Sequence, residues 1–120
     1  MTDLNISVLL GKTLTAAENK GDQIVFRAED GEYCLYHSQD CCESVVVESV
    51  VGDLADLVGS PLLQAEEVSS EGEPPPKKDY VDSYTWTFYK LATIKGGVTI
   101  RFLGESNGYY SESVAFAKVA

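Results

Sequence analysis

Basic residues are scarce in this chain: nine Lys and Arg stand against nineteen Asp and Glu among 120 residues, a net charge of -10. Affinity for a phosphate backbone comes from counterion release by Lys and Arg, so direct nucleic-acid binding is not expected. Long apolar runs are missing as well. No stretch approaches the roughly 20 residues of a membrane-spanning helix, and no membrane role is expected. The opening Met1-Thr2-Asp3 lacks the basic-then-apolar pattern of a secretory leader, which points to folding in a reducing cytoplasm. Histidine occurs once and cysteine three times. That leaves little material for a metal or cofactor cage, and no cofactor is expected.

The length and composition describe one domain, residues 1–120. A chain of 13.0 kDa can bury roughly two thirds of its unfolded surface in a single core. A hydrophobic content of 44%, with seven Tyr, four Phe and one Trp, is that of a globular protein rather than a disordered one. The charge is uneven. Residues 40–82 carry eleven of the acids and, as bases, only Lys77 and Lys78, so about nine of the ten excess negative charges fall in that third. Such a surface keeps a protein soluble. It also suits a basic partner, including mimicry of nucleic acid towards a DNA-binding protein.

Strand signals dominate the pattern. Thr2 or Asp3 is placed to cap a short first helix, with Leu4, Val8 and Leu9 at helical spacing and Gly11 at its end. Residues 13–19 and 23–29 read as strands, with Ile24, Phe26 and Ala28 alternating against Val25 and Arg27; Asp30-Gly31 is a hairpin dipeptide and 33–37 the return strand. The β-branched stretch 44–51 is another strand. Asp53 then opens one or two helical turns that Gly59 closes, and 62–68 reads as a strand. Residues 69–82 hold almost no apolar side chain and three successive prolines, so they are assigned to an exposed loop. In the last third, Tyr84, Trp86 and Phe88 alternate with Thr85, Thr87 and Tyr89, and Val98, Ile100 and Phe102 with Thr99 and Arg101. Joined by a Lys95-Gly96-Gly97 turn, they form a hairpin with one apolar face, followed by a final strand at Val114 and Phe116. The expected fold is mainly β (α+β): a strongly curved antiparallel sheet or small barrel with one or two short helices.

Chemistry concentrates in seven consecutive residues, His37-Ser38-Gln39-Asp40-Cys41-Cys42-Glu43. Gln39, Asp40 and Glu43 are costly to bury unless hydrogen-bonded, and His37 shares the face of Tyr33 and Leu35 as an interior histidine would. Cys34, His37, Cys41 and Cys42 would be the ligands of a zinc ion. However, the adjacent cysteines diverge, and Cys34 and His37 fall on opposite strand faces, so no metal is expected. A nucleophilic Cys41 or Cys42 with His37 as base would make a small hydrolase or transferase, against which the acidic surroundings raise a thiol pKa. The second concentration is Glu105-Ser106-Asn107-Gly108-Tyr109-Tyr110, where one of the two tyrosines is free to offer a ring to a ligand, together with Trp86 or Tyr89.

The run from His37 to Val45, the Gly52-Asp53-Leu54 and Gly59-Ser60-Pro61 triplets, and Gly104-Glu105-Ser106-Asn107-Gly108-Tyr109-Tyr110-Ser111-Glu112 resemble a family of small uncharacterised proteins encoded mainly by bacteriophages. The likeness spans nearly all of the chain outside the proline-rich loop. It implies a viral accessory protein acting inside a bacterium, and carries no activity with it.

The sequence thus points to a non-enzymatic anti-defence factor in the host bacterial cytoplasm. It would sequester a small nucleotide-derived signal through His37, Gln39, Asp40, Glu43, Trp86, Asn107, Tyr109 and Tyr110. Occlusion of a host bacterial protein by the acidic surface is the alternative, and a homo-oligomer is compatible with either. Both polar stretches are expected to meet on one rim. Replacing residues 71–78 by a few glycines and serines is expected to move Tm by only a few degrees, because closure entropy depends weakly on loop length. A thermal melt that loses its cooperativity would show that the loop packs.

Overall fold

Alternating β-branched and aromatic residues form eight strands: β1 (Leu14–Asn19), β2 (Ile24–Ala28), β3 (Gly31–Tyr36), β4 (Ser44–Val51), β5 (Gln64–Ser70), β6 (Ser83–Thr93), β7 (Gly96–Ser106) and β8 (Ala115–Lys118). The computed structural model of the protein describes residues 4–38, 43–70, 83–106 and 112–119. All strand pairs are antiparallel, in two four-stranded sheets of order β1-β2-β3-β8 and β4-β7-β6-β5. The mainly β class holds. Instead of one curved sheet or a barrel there are two open sheets, because β3 takes β8 as its neighbour and leaves β4 to pair with β7. The second sheet is a Greek key: β5, β6 and β7 follow one another and β4 lies beside β7.

Both helical segments are single 3-10 turns. The first, Ile6–Leu9, is capped by Asn5, whose Oδ1 accepts from the Ser7 N–H at 2.9 Å. The expected capping by Thr2 or Asp3 is thus replaced by Asn5, and Leu4 stands before the turn; Thr2 and Asp3 themselves lie outside the described residues. The second, Leu54–Leu57, is capped as expected, Asp53 Oδ1 accepting from Ala55 N–H at 2.9 Å. Gly59 leaves it at φ 88°, a conformation that strains other residues, and its N–H donates to the Leu14 carbonyl.

One apolar core takes side chains from both sheets: Ile24, Phe26, Leu35 and Phe116 from the first, and Tyr89, Leu91, Ile100 and Phe102 from the second. Ile6, Leu9, Leu57 and Leu62 close it. The register of the β6–β7 hairpin corrects the sequence reading. Phe102 pairs with Thr87 and Ile100 with Tyr89, whereas Trp86 pairs with Leu103 and Phe88 with Arg101. Val98, Ile100 and Phe102 therefore share a face with Thr87 and Tyr89, while Trp86 belongs to the other face, beneath the Arg101 guanidinium at 4.7 Å. The turn between them is Ile94-Lys95, one residue earlier than expected. Strand β5 begins at Gln64 rather than Leu62, because Leu62 and Pro61 are engaged with Lys12 and Thr13.

Two connections cross between the sheets. The β3–β4 segment leaves the first sheet for the second, and the β7–β8 segment returns. Because β3 pairs with β8 and β4 with β7, both crossovers lie at the same end. The opposite end is closed by the β4–β5 connection, where Thr93 donates to the Asp56 carbonyl and Lys95 Nζ to the Val58 carbonyl at 2.6 Å.

On the first sheet Asp30 accepts from Lys12 Nζ at 2.9 Å and from the Tyr33 hydroxyl at 2.8 Å. The Lys12 contact above all, then the Tyr33 bond, holds the Asp30 carboxyl below its ordinary 3.8. A carboxyl lowered on folding stabilises the fold at pH values above the ordinary one, and that contribution disappears as pH falls through the lowered value. Denaturant titrations from pH 7 to pH 2 are expected to show Asp30→Asn losing less stability across the acid limb than the wild type. An identical acid limb in both would remove Asp30 from the pH response.

Candidate functional site

The two crossovers bring the polar stretches together. His37 follows the last residue of β3, and Glu43 precedes the first residue of β4, which is itself aligned with Glu105 of β7. His37 Nε2 lies 3.1 Å from Glu43 Oε2, and Nδ1 lies 2.7 Å from the Ser113 carbonyl oxygen of the second crossover. Both side chains are buried, at 6% and 1% exposure. A carbonyl oxygen only accepts, so Nδ1 carries a hydrogen. The Nε2 contact then holds one proton between ring and carboxyl. The imidazole is thus bonded on both sides within the protein.

A second hydrogen-bonded group abuts the first. Glu112 accepts from the Thr85 hydroxyl at 2.7 Å and from the Ser106 hydroxyl at 2.6 Å, joining the start of β6, the end of β7 and the approach to β8. The chain can pass this close only because residue 104 is glycine. A Cβ there would stand 2.6 Å from the Glu112 carbonyl oxygen and 2.7 Å from its Cβ. Glu43, Glu105 and Ser106 are buried, and each makes further contacts.

Beside this cluster a cleft of about 440 Å³ opens between the start of β2, the end of β3 and the start of β4, lined by Asp22, Gln23, Tyr36, His37, Ser44, Val45 and Val46. The Gly21 carbonyl accepts from the Val47 N–H at 2.9 Å and bridges the two sheets near the cleft. Among the described residues no Lys or Arg lines it. The Gln23 Oε1 is taken by the Cys34 thiol at 2.9 Å.

The structure brings His37 and Glu43 to the same end as Glu105 and Ser106. Trp86 shares a sheet face with Glu105 and Ser44 and lies on the face opposite Thr85 and Ser106. Gln39, Asp40, Cys41, Cys42, Asn107, Tyr109 and Tyr110 lie outside the described residues. Of the zinc quartet, Cys34 and His37 take different partners, Gln23 for one and Glu43 with Ser113 for the other. Among the described residues no three His, Cys, Asp or Glu are placed to hold a metal. Burial, then the nearby Glu32 carboxylate, pushes the Cys34 thiol up. Sequence reasoning missed Asp22, Gln23, Tyr36 and Ser44 as cleft residues and Thr85 as a partner of Glu112. Nothing in their spacing marks them, since they meet only when the sheets do.

A family described as a domain of unknown function, DUF7448, matches residues 7–116. The chain belongs to the DUF7448 family. Comparison with curated proteins and with solved structures gives no match. No helix among the described residues of this DUF7448 domain is long and apolar enough to cross a membrane.

The burial of His37 raises what its loss should cost. Removing the ring from a buried ion pair or its neutral equivalent is expected to cost about 3 to 5 kcal/mol, as a core truncation such as Phe102→Ala does. Gly104→Ala in this DUF7448 domain should destabilise by about 1 to 3 kcal/mol, since the Glu112 backbone must move. Urea unfolding of both variants checks this; wild-type midpoints would show that the crossovers are not held here.

Proposed function

We propose that the protein is a non-enzymatic binding protein, a phage-encoded anti-defence factor of the bacterial cytoplasm, whose ligand is a small nucleotide-derived molecule taken by its base and sugar. The observation that carries this reading is the cleft beside His37. Its volume of about 440 Å³ falls within the range of ligand pockets, and its walls combine an aromatic ring with a few polar groups. Tyr36 offers a ring face, Gln23 an amide, Ser44 a hydroxyl and Asp22 a carboxylate. Without Lys or Arg in that lining, a phosphate has no counter-charge there, so the base and sugar are the parts that fit. Gln39 and Asp40, which the sequence reading includes among the ligand-binding residues, lie outside the described residues.

Two observations favour binding over catalysis. His37 is bonded through both ring nitrogens, which leaves it no lone pair for activating Cys41 or Cys42. Cys34 is buried, with its thiol pushed up, so it supplies no thiolate. Occlusion of a host protein is the second reading, supported by the charge of -10 and its concentration between residues 40 and 82.

The test is an NMR titration of the isotope-labelled protein with the ribonucleosides and, separately, their 5′-monophosphates. Amide shifts confined to Gln23, Tyr36 and Ser44–Val46 are expected, with affinity about tenfold weaker in Tyr36→Ala. Nucleosides should bind at least as well as monophosphates. Shifts elsewhere, or none at millimolar ligand, would overturn the cleft and leave protein occlusion as the reading. Native mass spectrometry after expression in bacteria would then look for a stoichiometric host protein.

A further inference from the structure

Two open sheets have four edges, and three of them are guarded. Strand β1 carries a register shift between Leu14 and Ala16, and its start is bridged by Val58 and Pro61. Strand β4 carries a shift between Val47 and Ser49 and donates its Val47 N–H to Gly21. Strand β8 is four residues long, and its Phe116 carbonyl accepts from Leu4 N–H at 2.7 Å. Bulges, short strands and covering segments are the usual protections of an edge against pairing with another chain.

Strand β5 carries no bulge, and although the Ile6–Leu9 turn packs against it and Gly11 and Lys12 bond Leu62 just before it, among the described residues nothing pairs with its outer side. Its seven residues, Gln64–Ser70, keep unbroken register with β6. They include no proline, lysine or arginine, and residues 66–69 are exposed. No described strand lies on its other side. Along that side the backbone N–H and C=O groups bond no other described residue and are of the kind that accept an added strand. We infer that the β5 edge takes an extended, basic peptide segment of another protein as a fifth strand of the second sheet.

Charge selects the occupant. Glu66 and Glu67 are neighbours in the strand, so one carboxylate lies on each face of the sheet. A second copy of the chain pairing antiparallel through β5 would oppose glutamate to glutamate, a destabilising arrangement. A segment with two consecutive Lys or Arg would instead meet an acid on each face, and an apolar residue just before them would lie beside Val68. On the β6 side, Lys90 is the register partner of Glu66, while Glu67 accepts from the Tyr89 hydroxyl at 3.0 Å, which holds that carboxylate along the edge. The surface is separate from the His37 cleft, since β4 and β5 are the opposite edges of one sheet.

The probe is a capped synthetic peptide, Ser-Thr-Val-Lys-Lys-Val-Thr, designed to oppose Ser70 back to Gln64. Saturable binding is expected, with amide exchange slowed in β5 and nowhere else. Two N-methylated versions, one for each alternate set of amides, separate ladder pairing from simple charge attraction. In a paired strand only one set faces the protein, so one version should bind like the parent and the other about tenfold or more weaker. The double variant Glu66→Lys, Glu67→Lys, with its melting temperature compared to that of the wild type, should lose a similar factor. Equal binding by both methylated peptides, protection away from β5, or no binding at millimolar peptide would each overturn the proposal; these arms use the wild-type protein and do not depend on the variant folding.

Discussion

The fold depends on two crossovers being held side by side. One carries the chain from the first sheet to the second after β3, the other brings it back before β8, and the His37 imidazole spans them by reaching the Ser113 carbonyl on one side and Glu43 on the other. Apolar packing presses the sheets together without preferring a particular alignment. A buried imidazole with two directed bonds does prefer one. Glu112, fastened to Thr85 and Ser106 above the bare Gly104 backbone, fixes the second crossover from the opposite direction.

This arrangement divides the polar residues at that end by role. His37, Glu43, Ser106 and Glu112 make hydrogen bonds inside the protein, and the burial of the first three side chains makes them expensive to expose. Beside His37, other side chains reach the cleft: Tyr36 and Ser44 from β3 and β4, and Gln23 from just before β2. The cleft is thus walled by both sheets, which are bonded together where they meet.

Strand positions were legible because alternation is a local property. The β-branched run 44–51 became β4 at those limits, and Asp53 capped its turn as its side chain dictates. The facing of the β6–β7 hairpin was not legible. Both its faces are rich in apolar side chains, so alternation cannot say which row meets the core, and a one-residue difference in the turn moved Trp86 to the opposite face from Phe102. The His37–Glu43 contact spans six positions and was visible as a cluster. Its link to Ser113 spans 76, and depends on β8 joining the first sheet, which no spacing in the sequence announces.

The order of the strands along the chain has a consequence for synthesis. The second sheet is continuous in sequence, from Ser44 to Ser106, and its partners are all available once that stretch has left the ribosome. The first sheet waits for β8, whose partner β3 was made about eighty residues earlier. Until that last strand emerges, Tyr33 lacks the ring of Phe116 that stacks on it at 5.6 Å, and the nascent first sheet has three strands with one flank open. The half of the protein made first is therefore the half completed last.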